Sequence, residues 1–217
     1  MCKFFSAIVT KNEEVYYDKF NHSHEDLIDL FDLKEGKQGQ NFVRIEYCPE
    51  FEKDLADLSK YQLNINEPET PTWFTETVKE HVINKLNAVL SKMILIDVKK
   101  KILSSDCYIL AGNTKIEKVI NCIIYSMSDN SSVTNMSGNS SVKQMNDNST
   151  INHMNNNSSV NYMNDNSTIN HMYGNSSVNY MYENSTVNYM SNNSSVIHMY
   201  NNSSVKQMFD NSKCPKK

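Results

Sequence analysis

Between Met127 and Lys213 the apolar residues sit on a nine-residue lattice. Methionine recurs at Met127, Met136, Met145, Met154, Met163, Met172, Met181, Met190, Met199 and Met208. Asn-Ser stands three residues after each Met, from Asn130-Ser131 to Asn211-Ser212, and a Val or Ile stands three after each Asn, from Val133 to Val205. The unit reads Met-x-x-Asn-Ser-Ser/Thr-Val/Ile-x-x, and no insertion breaks it. A short fixed period reads as a solenoid, in which each repeat buries its apolar residues against its neighbours. Val and Ile favour strands. Each Val precedes a Met by three residues, so the two cannot share one face of a straight strand, and a bend must fall between them. This places Val in a short strand with the first Ser facing inward beside it. Met then fills the interior near the next corner, where a flexible thioether suits an irregular gap. Asn tolerates the left-handed backbone of sharp corners, and stacked Asn side chains can hydrogen-bond up the coil. A helix is disfavoured, because a period of nine drifts off a helical face and Ser and Asn are poor helix formers.

A longer period runs through the shorter one. The residue ahead of each repeat Asn alternates between Asp129, Asp147, Asp165, Glu183, Asn201 and Gly138, Asn156, Gly174, Asn192, Asp210. The residue ahead of each Met alternates between Gln144, Tyr162, Tyr180, His198 and His153, His171, Tyr189, Gln207. The stretch Asn146 to Met154 recurs letter for letter at Asn164 to Met172. Residues that share an environment resemble one another, which predicts two repeats per coil, with i and i+18 stacked at about 5 Å. Gene growth by eighteen-residue duplication would leave the same record.

Ahead of the repeats the pattern changes. Lys3 to Thr10 and Val15 to Lys19 read as a hairpin around Lys11-Asn12-Glu13-Glu14. Ser23 with Asp26 resembles a capping box, opening a short amphipathic helix over Leu27 to Leu33. Gly36 and Gly39 mark a loop. Phe42 to Tyr47 and Tyr61 to Ile65 read as strands, with a helical turn between Phe51 and Ser59. After Pro68 and Pro71, Thr72 reads as the N-cap of a long helix to about Met93, with Phe74, Val78, Val82, Leu86, Val89, Leu90 and Met93 on one side. Ile94-Leu95-Ile96 ends that helix or begins a strand. Cys107 to Leu110 and Lys115 to Val119 read as strands leading into the coils, and Asn121-Cys122 fits the repeat frame with Cys for the first Ser. The expected fold is an α+β N-terminal domain over residues 1–119, a parallel β-solenoid of nine-residue repeats over 120–213, and a tail over 214–217. The N-terminal domain would cap one end of the solenoid, and Lys213, Pro215, Lys216 and Lys217 would blunt the other.

Charge and composition narrow the function. The 217 residues carry a net charge of −4. Residues 1–126 hold 20 acids against 16 bases, and residues 127–217 hold five of each. Arg44 is the only arginine, Lys99-Lys100-Lys101 the only basic run, and no region forms a nucleic-acid footprint, so direct nucleic-acid binding is not expected. Five scattered cysteines, Cys2, Cys48, Cys107, Cys122 and Cys214, lack a Cys-x-x-Cys pair and fit reduced thiols in a cytosol. The opening apolar run is too short for a signal peptide, and no run reaches transmembrane length, so no membrane partner is expected. Nine of the repeat asparagines, Asn130 to Asn202, open Asn-x-Ser/Thr sequons, which are by-products of the repeat.

No catalytic, nucleotide-binding or zinc motif stands out, and neither a cofactor nor a metal is expected. His22-x-His24 offers two metal ligands or two residues at a helix entry; His81 reads as a surface residue. Cys2 and Cys48 have no His partner in view. The column Asp129, Asp147, Asp165, Glu183 stacks like charges at strand spacing; it is either a file of solvated turn acids or a place for calcium. It lacks the Gly-Gly-x-Gly-x-Asp turn of calcium-binding β-rolls. The aromatic columns are the candidate partner surface: Tyr162 and Tyr180 on one side, His153, His171 and Tyr189 on the other. Tyr173, Tyr182, Tyr200 and Phe209, which follow their methionines, extend it. Tyr beside Asn and Ser is the composition of adaptable binding surfaces. Rings that only stabilise the coil are the competing account.

Five stretches carry a resemblance: Lys3-Phe4-Phe5-Ser6-Ala7-Ile8-Val9-Thr10, Ser23-His24-Glu25-Asp26-Leu27-Ile28, Phe42-Val43-Arg44-Ile45-Glu46-Tyr47, Pro71-Thr72-Trp73-Phe74, and the repeats themselves. Through them the chain resembles an uncharacterised family encoded by phages and prophages of low-GC bacteria, along nearly its whole length. Similar chains carry a Gly in the first hairpin turn, and this one does not. The resemblance implies a phage protein acting in the cytoplasm of a bacterial host. With no enzymatic motif, the expectation is a non-enzymatic binding protein that docks on a host protein or ribonucleoprotein complex, an anti-CRISPR-like counter-defence inhibitor. The alternatives are an assembly module that forms homo-oligomers and an enzyme housed in residues 1–126.

Overall fold

The computed structural model describes residues 4–34, 36 and 41–215. Cys2, Lys3, Gly39, Lys216 and Lys217 lie outside the described residues. The chain forms two compact units, residues 1–92 and 93–217.

The first unit is built on an antiparallel four-stranded sheet. Its strands are β1 (Ser6–Thr10), β2 (Val15–Tyr16), β3 (Phe42–Pro49) and β4 (Tyr61–Ile65), in the order β2-β1-β3-β4. The first hairpin closes as the sequence predicts, with Glu13 taking φ 64° at its turn. A left-handed backbone suits Gly, so Glu13 holds this conformation against its side-chain preference. Helix α1 (His24–Leu30) starts at Ser23, whose hydroxyl accepts from the Asp26 amide. The capping box is half made: the Asp26 carboxylate accepts from Asn21 Nδ2, and the Ser23 amide donates to Asn21 Oδ1. Helix α2 (Glu76–Met93) begins four residues after the expected Thr72 cap, and the Thr75 hydroxyl accepts from the Val78 amide. Val78, Val82, Leu86, Leu90 and Met93 are buried on it, as the spacing predicts, Phe74 is buried just ahead of it, and Val89 is half-buried.

The second unit is a parallel β-solenoid with two strands per coil. One seven-stranded sheet holds β5 (Ile94–Ile96), β7 (Cys107–Ala111), β9 (Ile123–Met127), β11 (Ser141–Met145), β13 (Ser159–Met163), β15 (Ser177–Met181) and β17 (Ser195–Met199). The other holds β6 (Lys99–Ser104), β8 (Lys115–Ile120), β10 (Ser132–Ser137), β12 (Thr150–Met154), β14 (Thr168–Met172), β16 (Thr186–Met190) and β18 (Ser204–Met208). Val142 lies opposite Val160, Met145 opposite Met163 and His153 opposite His171, so neighbours are eighteen residues apart. The Val and Met rows between the sheets form one continuous core, fully buried from Val133 to Met190 apart from a trace of exposure at Val142. The first Ser of each repeat faces inward beside them, and Cys122 takes that place in its own repeat.

The solenoid starts earlier than the expected boundary at residue 120. Ile94 pairs with Ile109, Lys99 with Lys115 and Lys115 with Ser132, steps of 15, 16 and 17 residues. A β-bulge between Tyr108 and Ile109 shifts the register once more. These coils bury Leu95, Leu103, Leu110, Ile116 and Val119 where later coils bury Val and Met, so they share the core without sharing the period. At the other end Lys213 bridges to Ser195, and Cys214 packs on the core where a Val would stand, so the expected tail begins inside the last coil. Pro215 has no amide with which to continue the ladder. The outermost strands of the second sheet carry Lys99, Lys100, Lys101 and Lys206, all exposed, a charge pattern that blunts strand edges.

Each corner turns on one left-handed residue. It is the residue ahead of the repeat Asn, at φ 55° in Asp147, 59° in Asn156, 54° in Asp165 and 64° in Gly174. A Cβ on Gly174 would sit 3.0 Å from the Asn156 backbone nitrogen. The repeat Asn, expected at the corner conformation, builds a ladder instead. Asn157 Nδ2 donates to Asn139 Oδ1, Asn175 to Asn157 and Asn193 to Asn175, at 3.2–3.3 Å.

Candidate interaction surface

Each strand from β10 to β16 presents two outward residues between its buried Val or Ile and its buried Met. In the second sheet the first of these is Asn152, Asn170 and Asn188, joined by side-chain hydrogen bonds of 2.7 Å. In the first sheet it includes Asn161 and Asn179, joined at 2.8 Å. The next column holds the rings. Parallel in-register strands stack identical side chains directly on one another, which brings these rings into contact.

All nine ring residues expected from the sequence fall into two clusters, one on each sheet. On the first sheet, Tyr162 and Tyr180 stack at 5.2 Å and Tyr182 and Tyr200 at 5.0 Å, with 6.3 Å between Tyr180 and Tyr182. On the second sheet, His153 and His171 stack at 5.0 Å, and Tyr173 lies 5.8 Å from His171, only 3° from parallel. Tyr189 tilts by 53° against His171, and Phe209 stacks on Tyr189 at 4.9 Å. One further ring joins the first cluster: His198 stacks on Tyr180 at 4.9 Å.

Four rings of each cluster match at an offset of nine residues: His153, His171, Tyr173 and Tyr189 find counterparts at Tyr162, Tyr180, Tyr182 and His198, whereas the position nine before Tyr200 is Ser191. That offset, half a coil, is the signal that could have brought His198 into the expected set.

Stacking decides what the rings offer. Their faces meet along the column, so the ring edges face outward, while His171 Nδ1 is buried. Tyr200, His198 and Phe209 are exposed, and the inner rings are half-buried. Burial pushes the Tyr182 phenol up, and neighbouring Tyr200, Tyr162 and Tyr180 add to the shift. A neutral phenol that both donates and accepts is the chemistry of this surface.

The remaining candidates have internal partners. Asp147 accepts at Oδ2 from the Asp129 amide, Asp165 from the Asp147 amide, and Glu183 at Oε2 from the Asp165 amide, each at 3.0 Å. The acid column therefore ties one corner to the next. Among the described residues no group of three His, Cys, Asp or Glu side chains is gathered for a metal. His24 is buried with Nε2 2.9 Å from the Ile45 carbonyl, and His22 packs 5.1 Å from the Phe4 ring. His81 is exposed. Arg44 is held by Glu67, whose Oε1 accepts from both the Arg44 amide and Nη1 at 3.0 Å. Cys48, Cys107 and Cys122 are buried free thiols, and burial pushes the Cys122 thiol up. Within the described residues no helix is long and apolar enough to cross a membrane.

No protein-family model, curated protein or solved structure matches this chain.

Proposed function

We propose that this chain is a non-enzymatic binding protein that docks on a host macromolecule through the ring-bearing faces of its solenoid. The observation that carries the reading is the placement of five rings on each sheet, on a frame whose interior is fully packed. The rings follow a gradient. The same column holds the buried Ser126 and then Gln144 in early coils of the first sheet, and Lys118 and Asn135 in the second. Those coils stack without rings, so the fold does not depend on having them at every level. Large, stiff aromatic side chains bury much area for little lost entropy and dominate interface energies.

The partner suited to such a surface is a protein or ribonucleoprotein with a flat, uncharged patch. The resemblance to phage-encoded proteins places the encounter in the cytoplasm of a bacterial host. There the role would be counter-defence, an anti-CRISPR-like blockade of a host effector by occupation rather than by chemistry. Capture from a bacterial host lysate tests this. The expected result is one stoichiometric host component, lost when Tyr162 and Tyr180 are both replaced by alanine. Capture that survives this change and is lost on changes within residues 4–92 would overturn the assignment to the solenoid. No captured component at all would overturn the function.

A further inference from the structure

Either sheet could carry rings alone, yet each carries five, four of them nine residues from a counterpart on the other sheet. The two sheets enclose one core, so the clusters face in opposite directions and the molecule has two equivalent sides.

Three properties of these sides point to the same occupant. Rings and Asn amides recur at the strand spacing, about 4.8 Å per coil. A surface that meets them in register over several coils must repeat at the same rise, and another solenoid of this sequence does. The centre of each side is uncharged: the outward columns hold only Asn, Gln, Tyr, His and Ser/Thr between Lys143 and Ile197 on one sheet, and Asn, Tyr, His and Ser/Thr between Lys118 and Lys206 on the other. Two copies therefore meet without repulsion, with charge only at the rim, the usual anatomy of an interface. The exposed polar atoms are also self-complementary, since phenols and amides both donate and accept.

We propose that each side docks on the matching side of a second copy of this chain, so that molecules pack side by side into an open row. Two equivalent sides facing apart generate a row rather than a closed dimer. Five coils of five-residue strands offer about 400 Å² per side, half of the roughly 800 Å² per partner in a standard interface. Each contact is accordingly weak, and the row builds with concentration. The lysines on the outer strands of the second sheet oppose the competing route, pairing through strand edges.

Analytical ultracentrifugation of the full chain over rising concentration, at low and high salt, tests this. The wild-type mass should climb past the dimer and should not fall at high salt, because the touching surfaces are neutral. Tyr162→Ser with Tyr180→Ser should stop growth at the dimer, since one side remains. Adding His171→Ser and Tyr189→Ser should leave monomers. If the ring variants melt early, Asn152→Lys with Asn161→Lys puts charge in the centre of both sides, leaves the rings in place and should also give monomers. A wild type that stays monomeric throughout, or rows that survive loss of both ring sets, overturns the proposal. The host-partner reading can fail separately: rows with no captured host component sink that reading alone, and capture by a strictly monomeric protein sinks this one alone.

Discussion

In the first unit each polar contact is made once; in the solenoid each is made once per coil. Arg44 has Glu67, Tyr47 donates to Asn87 Oδ1, and His24 has the Ile45 carbonyl. None of these recurs. The corner amide, the Asn ladder and the Val and Met rows are repeated from coil to coil. A unique contact has no substitute when it is lost, and its buried partner is left stranded. A repeated contact is shared by identical neighbours above and below, so loss of one polar rung is diluted. The apolar rows are the exception, because one charge inside a shared core breaks the row in both directions.

That contrast ranks the expected effects. Met163→Asp places an unpaired charge in the middle of the core and should cost about 4 kcal/mol or more in denaturant melts, whereas Asn161→Asp keeps an acceptor for Asn179 and should cost little. Equal losses would refute the inside–outside assignment. Glu67→Ala removes the acceptor of both the Arg44 amide and its guanidinium at a carboxylate site only 4 % exposed and should cost about 3 kcal/mol. A loss as small as that of an Asn rung would erase the distinction between the two units.

Smaller effects sharpen it. The Ser158 hydroxyl donates to the Asn155 carbonyl at 2.6 Å, and the Ser149 hydroxyl is buried with no partner. Ser158→Ala should therefore cost about 1 kcal/mol, and Ser149→Ala should be neutral or stabilising. The two serines occupy equivalent repeats, so equal melts would show that the half-coils do not differ in this way. Glu13→Gly relieves the left-handed turn of the first hairpin. It should raise stability by up to about 1 kcal/mol, read as a shift of the melting midpoint. A loss of stability would mean that the Glu13 side chain holds the turn.

Legibility in the sequence follows the same division. The regular coils were legible because one residue type per row repeats without insertion, and the eighteen-residue alternation set the stacking. The first coils were not, since steps of 15 to 17 residues and a bulge hide the period while the core accepts Leu and Ile in place of Met and Val. The Asp129 column was visible as a stack of like charges, but its bonds to amides eighteen residues earlier cannot be read from composition. The ring columns were legible as columns. Their joining into one cluster per sheet was not, because the residues ahead of Met and after Met lie on separate rows until the corner folds them together. In the first unit the hairpin, the Ser23 cap and the strand from Phe42 follow from local signals. The α2 start moved from Thr72 to Thr75, where a second threonine follows close behind and local signals cannot choose between them.

The account rests on the rings serving recognition rather than holding the coils together, and one variant separates these roles. Replacing Tyr162 and Tyr180 by alanine leaves the Val and Met rows untouched. The account predicts a melting midpoint near that of the wild type, together with a loss of more than about 2 kcal/mol in binding to the captured host component. A variant that binds as the wild type does, or one that loses its fold with its rings, would contradict it.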